Sequence, residues 1–345
     1  MPIIAPSTYC PPPGMTNGHL QTILPSLLRR VNGVTYQRER IGTTDGDFID
    51  LDWARCGSRR LVVLCHGLEG SSQAAYIRGM ARAFNRAGWD AVAYNYRGCS
   101  GEENRRLRAY HSGATDDLAT VHRHLAGHHA CRRMGWIGFS LGGNLVLKYL
   151  GENGPALDAK QHWGAAVSVP CDLAASAHRL DLPVNRIYTR RFLRTLKAKA
   201  RWRARRYPGV IDLPKLAAAR TLKAFDDAFT APVHGFRDAE DYWRSCSALN
   251  FLDGIQVPTL VINARNDPFL DGPCFPYAAA RRNPLLFLET PRSGGHVGFM
   301  PRVWNGLFWH EARIVRFAER LEAAPASDGH VSPPPPSGRS QVLFT

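Results

Sequence analysis

Along the chain, apolar and polar positions fall into short runs that alternate in kind. From Tyr36 to Trp53 they alternate on either side of Thr44-Asp45-Gly46-Asp47, the pattern of a β-hairpin. Leu61-Val62-Val63-Leu64-Cys65 is apolar without interruption, as a strand covered on both faces should be. A helix is expected from about Tyr76 to Ala87, a strand over Asp90–Tyr96, and a helix over Asp116–His128 with Thr115 as its N-cap. Met134-Gly135-Trp136-Ile137 reads as another buried strand, followed by a helical stretch from Gly143 that breaks at Gly151 and Gly154. Gly164–Val169 is one more strand. Buried strands alternating with helices predict an α/β protein with a mostly parallel sheet and helices on both faces.

The pattern changes at Pro170. Residues 171–250 carry almost no strand signal and read as helices, and strands resume with Thr259–Asn263 and Leu285–Glu289 before a closing helix over Phe308–Leu321. The expected organisation is an N-terminal arm (1–40) and the first part of an α/β core (41–170). A helical cap insertion (171–250), the second part of the core (251–322) and a Pro-rich tail (323–345) follow. Ser332-Pro333-Pro334-Pro335-Pro336-Ser337 marks that tail as disordered. No internal repeat is visible.

Composition narrows the class. With 345 residues, 44% hydrophobic and 10% aromatic, the chain can bury a substantial core, which sets it apart from disordered sequences. The net charge of +15 comes largely from 38 arginines, and between Arg186 and Arg206 there are ten basic residues and no acid. Tyr188, Phe192 and Trp202 interleave that run. The preferred reading is a solvated face of the cap; peripheral contact with an anionic membrane comes second and nucleic acid a distant third. Eight cysteines without C-x-x-C spacing argue for reduced thiols in a cytoplasmic protein, not for a zinc site or a disulfide framework. The first residues have neither a charged nor a continuous apolar region, so no signal peptide is expected. No segment approaches the roughly 18 apolar residues that span a bilayer. His124 and His128 stand one helical turn apart but have no evident third ligand, so no metal is expected. No glycine-rich dinucleotide motif follows the first strands, so no cofactor is expected either.

The candidate chemistry lies in Gly138-Phe139-Ser140-Leu141-Gly142, a G-x-S-x-G sequence between the expected strand and helix. A sharp turn there would lift the Ser140 hydroxyl above the sheet edge, with glycines allowing strand and helix to pass closely. A serine needs a base to take its proton and an acid to orient that base. Asp267, just beyond one strand, and His296, in the glycine-rich loop beyond the next, supply the chain order Ser, Asp, His. Asp172, beyond the strand before the cap, is the rival acid, and His66 reads as structural. An oxyanion hole would come from the backbone N–H groups of Leu141 and Leu68, the latter in the loop opened by His66-Gly67.

These motifs resemble the α/β-hydrolase superfamily, and within it the YheT-like branch of esterases. The branch is marked by Asn17-Gly18-His19-Leu20-Gln21-Thr22, His66-Gly67-Leu68-Glu69-Gly70-Ser71-Ser72, Asn95-Tyr96-Arg97-Gly98 and Tyr110-His111-Ser112-Gly113. Phe139-Ser140-Leu141-Gly142-Gly143-Asn144, Phe229-Thr230-Ala231-Pro232 with Gly235-Phe236, and Gly294-Gly295-His296-Val297-Gly298-Phe299 complete the set. The resemblance covers roughly residues 15–320 and implies hydrolysis of carboxylic esters. The substrates it implies are short- to medium-chain acyl esters, acylglycerols or phospholipids. It leaves open acyl transfer to an alcohol by the same residues, and, less favoured, a catalytically silent binding protein. The cap, by its entry point, should wall the acyl pocket.

Overall fold

The computed structural model describes residues 2–128, 131–303 and 306–323, with the side chain of His128 outside the description. The tail expected over 323–345 lies outside the described residues except for Ala323.

The strands are β1 (Ile3–Ile4), β2 (Gln37–Gly42), β3 (Phe48–Ala54), β4 (Arg60–Cys65), β5 (Asp90–Asn95), β6 (Arg133–Phe139), β7 (Gln161–Val167), β8 (Thr259–Ile262) and β9 (Leu286–Glu289). They form one sheet in the order β1-β9-β8-β7-β6-β4-β5-β3-β2. Pairing is parallel from β1 to β5, whereas β3 runs antiparallel to both β5 and β2. The expected hairpin is the β2–β3 pair, with Gly42 opposite Phe48.

The helices are α1 (Gly18–Leu28), α2 (Ala75–Arg86), α3 (Thr115–His128), α4 (Leu141–Asn153), α5 (Leu173–Asp181) and α6 (Arg186–Arg206). After these come α7 (Leu213–Ala218), α8 (Leu222–Phe225), α9 (Ala231–His234), α10 (Ala239–Cys246), α11 (Tyr277–Arg282) and α12 (Trp309–Ala323). Thr115 is the first residue of α3 instead of its cap, and α4 continues through Gly151. A Cβ at Gly151 would lie 2.0 Å from the Phe251 carbonyl oxygen, so glycine there serves close packing and not termination.

Strand β4 explains the layering. Leu61, Val63 and Cys65 join a core with Leu118, Val121 and Leu145 of α3 and α4. Val62 and Leu64 face the other way, against Ile77, Met80 and Phe84 of α2 and Ile314 and Phe317 of α12. Side chains alternate across a strand, so a strand apolar at every position must be covered on both faces. Between β7 and β8 the chain leaves the sheet for α5–α10. These helices hold their own apolar clusters, one around Leu193, Ala200, Leu216 and Phe225 and another around Leu173, Tyr242 and Trp243.

The first 40 residues are more closely built in than an arm. Ile3 and Ile4 pair with Leu288 and Glu289 at the sheet edge, Gln37–Arg40 already belong to β2, and α1 packs beside the loops that follow β8 and β9. A two-residue strand has too little periodicity to be read from sequence.

Among the described residues, no helix is long and apolar enough to cross a membrane.

Candidate active site

Ser140 sits on the turn between β6 and α4 with φ 53° and ψ −121°, a region that non-glycine residues avoid. Its neighbours hold it there. The Ser140 N–H donates to the Val167 carbonyl at 2.9 Å, and its own carbonyl accepts from Gly143 and Asn144 at 2.9 and 3.1 Å. The flanking glycines are obligatory. A Cβ on Gly138 would meet the Gly142 carbonyl oxygen at 2.1 Å, and one on Gly142 would meet the Cys65 carbonyl oxygen at 2.4 Å.

His296 Nε2 lies 2.9 Å from Ser140 Oγ, and His296 Nδ1 lies 2.9 Å from Asp267 Oδ2 and 3.1 Å from Oδ1. An ionised carboxylate can only accept, so Nδ1 carries the hydrogen and Nε2 is free to accept from the serine hydroxyl. The Asp267 side chain is fully buried and that of His296 is 10% exposed. The Phe269 ring lies 4.0 Å from the imidazole and covers one face of it, while the Phe269 N–H donates to Asp267 Oδ1. The structure thus brings Ser140, Asp267 and His296 together. Asp172 is occupied elsewhere: it caps α5, accepting from the Ala175 N–H at 2.9 Å.

The loop after β4 lies against the nucleophile, since a Cβ on Gly67 would come 3.2 Å from Ser140 Cβ. In that loop the Gly67 N–H donates to the Tyr76 hydroxyl and the Glu69 N–H to the Tyr110 hydroxyl, both at 2.9 Å. The N–H of Leu68 between them, and that of Leu141 at the start of α4, have no acceptor among the described residues, and both residues line the cavity beside Ser140. His66 is buried, donates from Nδ1 to the Gly67 carbonyl at 2.8 Å and accepts from the Tyr96 N–H at 3.3 Å. Burial pushes its imidazole down to about 3, so it stays neutral and structural.

Several residues that support His296 carried no assigned role in the sequence. Thr22 Oγ1 accepts from the His296 N–H at 2.8 Å and donates to the Gly18 carbonyl at 2.7 Å. Asn266 accepts from the Gly295 N–H, and Ser168 accepts from the Val297 N–H. A signal existed for the first of these, because Asn17–Thr22 stood out as a motif.

The cavity over Ser140 measures about 1020 Å³, counting the part open to solvent. Leu173, Leu180, Phe192, Leu196, Phe225 and Phe229 of the inserted helices line it, together with apolar residues of the core such as Leu68, Leu141 and Phe269. The basic run is divided in space. It coincides with α6, whose Arg186, Arg190, Arg191, Arg194, Arg201, Arg205 and Arg206 are exposed, whereas Arg203 is buried and lines the cavity together with Lys199. Tyr188 is also buried, and Phe192 faces the cavity. His124 is engaged with Glu39 at 2.8 Å, and among the described residues no group of three or more His, Cys, Asp or Glu is arranged to hold a metal ion.

Fold and elbow together define an α/β hydrolase: residues 60–303 match the family described as alpha/beta hydrolase fold, and the chain belongs to it. Within that family it belongs to the YheT-like branch. It is 38% identical over 313 residues to the Escherichia coli (strain K12) protein named "Putative esterase YheT", covering 89% of this chain and 91% of that one. It is 30% identical to phospholipase ABHD3 of Bos taurus, covering 87% of this chain and 75% of the relative. Among solved structures, the Pyrococcus furiosus esterase Pf2001 shares the fold, with a TM-score of 0.57 at 18% identity over 86% of this chain and 96% of that one. The family is of esterase and lipase type.

Proposed function

We propose that the chain is a cofactor-independent serine hydrolase of carboxylic esters, acting through an acyl-enzyme on short- to medium-chain acyl esters or acylglycerol-like lipids. The observation that carries this reading is the unbroken line of 2.9 Å contacts from Ser140 Oγ through His296 to Asp267. Ser140 Oγ attacks the ester carbonyl while its proton passes to His296 Nε2, and Asp267 orients the ring and stabilises the imidazolium. The N–H groups of Leu68 and Leu141 receive the developing oxyanion. His296 then gives the proton to the departing alkoxide, takes another from a water that attacks the acyl carbon, and returns it to Ser140.

The test is hydrolysis of a panel of nitrophenyl acyl esters. Wild type should turn over the shorter members, and Ser140→Ala should lose at least about 10⁴-fold in kcat. Equal rates in the two proteins would end the reading. An acyltransferase would use the same acyl-enzyme; product analysis in mixed water and alcohol distinguishes it by transfer to alcohol beyond that solvent's share.

A further inference from the structure

The inner face of α6 carries two cations into the cavity. Lys199 and Arg203 stand one turn apart and line the same space as Ser140. Lys199 is paired, with Nζ 2.9 Å from Glu69 Oε1 and 3.3 Å from Cys99 Sγ. Arg203 is not comparably served. Its side chain is 2% exposed, and its ion pair with Glu103 is a 3.4 Å contact from Nη1. Among the described residues Nε and Nη2 have no hydrogen-bond acceptor. The guanidinium lies over Gly98, where an added Cβ would come 3.0 Å from Nη2, so this glycine leaves room for the charged group.

A buried lysine or carboxyl can relieve burial by changing its protonation, but a guanidinium cannot. Two buried N–H groups without acceptors are costly; Glu103 Oε2, itself without a hydrogen-bond partner among the described residues, approaches only Nη1, and an acceptor entering the cavity would remove the cost at Nε and Nη2. Nε and Nη2 form the edge of the fork that takes two oxygens of one carboxylate or phosphate in parallel. The other cations that line the cavity are paired, Lys199 with Glu69 and Arg97 with Asp117, Asp45 and Asp47, so among the described residues Arg203 is the one with donors left for such an acceptor.

We infer that Arg203 anchors an anionic oxygen group, carboxylate or phosphate, carried by the substrate away from its scissile ester bond. Arg203 is then a specificity-determining residue that selects charged esters over neutral ones of the same length. This rests on the reading of Ser140 as nucleophile. Two sources present the same chemistry: a carboxylate at the far end of the acyl chain, or a phosphate on the alcohol side.

The experiment compares two matched pairs. Mono-4-nitrophenyl adipate is set against 4-nitrophenyl hexanoate, and hexanoyl glycerol phosphate against monohexanoylglycerol. Wild type should favour the charged member of one pair by about tenfold or more in kcat/KM, which also identifies the source. Arg203→Gln should lower the charged-to-neutral ratio of kcat/KM at least about tenfold, and Arg203→Lys should fall between. A purely structural role would lower both members alike. Binding is read without catalysis in Ser140→Ala: adipate or inorganic phosphate should raise its Tm, and adding Arg203→Gln should abolish the rise. If no ester is cleaved but the anion still stabilises Ser140→Ala through Arg203, the anion site stands and the nucleophile reading falls. If Arg203→Gln does not fold, the wild-type preference and the anion-induced rise decide. Equal kcat/KM within both pairs together with no rise in Tm overturns the inference.

Discussion

Arg97 and Arg203 line the same cavity, one from the turn after β5 and the other from the inner face of α6. Both are buried. Arg97 forms two 2.8 Å bonds to Asp117 and others to Asp45 and Asp47 at 2.9 and 3.3 Å. Arg203 has one long contact with Glu103. The sequence around them differs accordingly: acids converge on Arg97 from the β2–β3 turn and from α3, whereas α6 has no acid of its own. The same contrast runs through the two walls. On the sheet side Ser140, His296 and Asp267 satisfy one another and are fixed before substrate arrives, which is what a preorganised reaction centre needs. On the cap side a charge is buried with bonds to spare, which is what selection of a ligand needs. On the proposed reading, reaction centre and selectivity reside in different parts of the chain, and each should be open to disturbance without the other.

The largest effect should come from the sheet side. Asp267→Asn keeps the volume but no longer holds Nδ1–H against a carboxylate, and kcat should drop by about 10⁴ in the nitrophenyl ester assay. Asp172→Asn, which touches only the cap of α5, should stay within a few fold in kcat and shift mainly Tm, by roughly 1 kcal/mol of stability or less. The reverse ranking would move the acid to the end of β7 and dissolve the division between the walls.

A smaller loss is expected from Thr22→Val. The variant is nearly isosteric, but it leaves the His296 N–H without its acceptor and frees a loop in which Gly295, Val297 and Phe299 all have positive φ. An unmet donor of this kind costs about 1–3 kcal/mol, and a share of that should appear as a fall of about 10-fold or more in kcat with KM little changed. Thr22→Ser should restore it. If Thr22→Val changes only Tm, α1 is scaffolding and the reaction centre is confined to the sheet and its own loops.

How far this was legible depends on the range of each signal. The strand–helix alternation, the elbow and the Ser, Asp, His order are local patterns with steric or packing causes, and they read directly from residues such as Gly138 and Gly142. The inserted helices also read correctly as a block, because strands stop at Val167 and resume at Thr259. What escaped depends on which way a side chain turns. Ten basic residues in one helix read as a single charged face, yet the turn of the helix carries Arg203 inward, and neither spacing nor composition announces that an arginine will be buried without a full set of partners. The Asn17–Thr22 motif was visible, but its purpose needed the fold to bring it within reach of His296, far along the chain. Ile3 and Ile4 join the sheet as two residues only, too short to mark any period.

The smallest effect concerns Asp226, which lines the cap side beside Trp243 and sits in a π-helical turn over Asp226–Thr230. Its carboxyl is hydrogen-bonded to Thr230 Oγ1 at 2.6 Å and accepts from Trp243 Nε1 at 2.9 Å, and burial pushes it up to about 7. A carboxyl raised in the folded state holds a proton that the unfolded chain has already released. Its contribution is therefore fully present below the ordinary carboxylate range of about 4 and is lost as pH rises through about 7. Asp226→Asn mimics the protonated acid: the amide oxygen can accept from Trp243 while the NH₂ donates to the Thr230 hydroxyl. The variant should match wild type in Tm at about pH 5 and exceed it by a few degrees at about pH 8, with activity on neutral esters changed less than about threefold. Thermal denaturation of both proteins at the two pH values checks this. A Tm difference independent of pH would mean that Asp226 does not titrate between them, and that the cap wall, like the sheet wall, keeps its charges fixed across the neutral range.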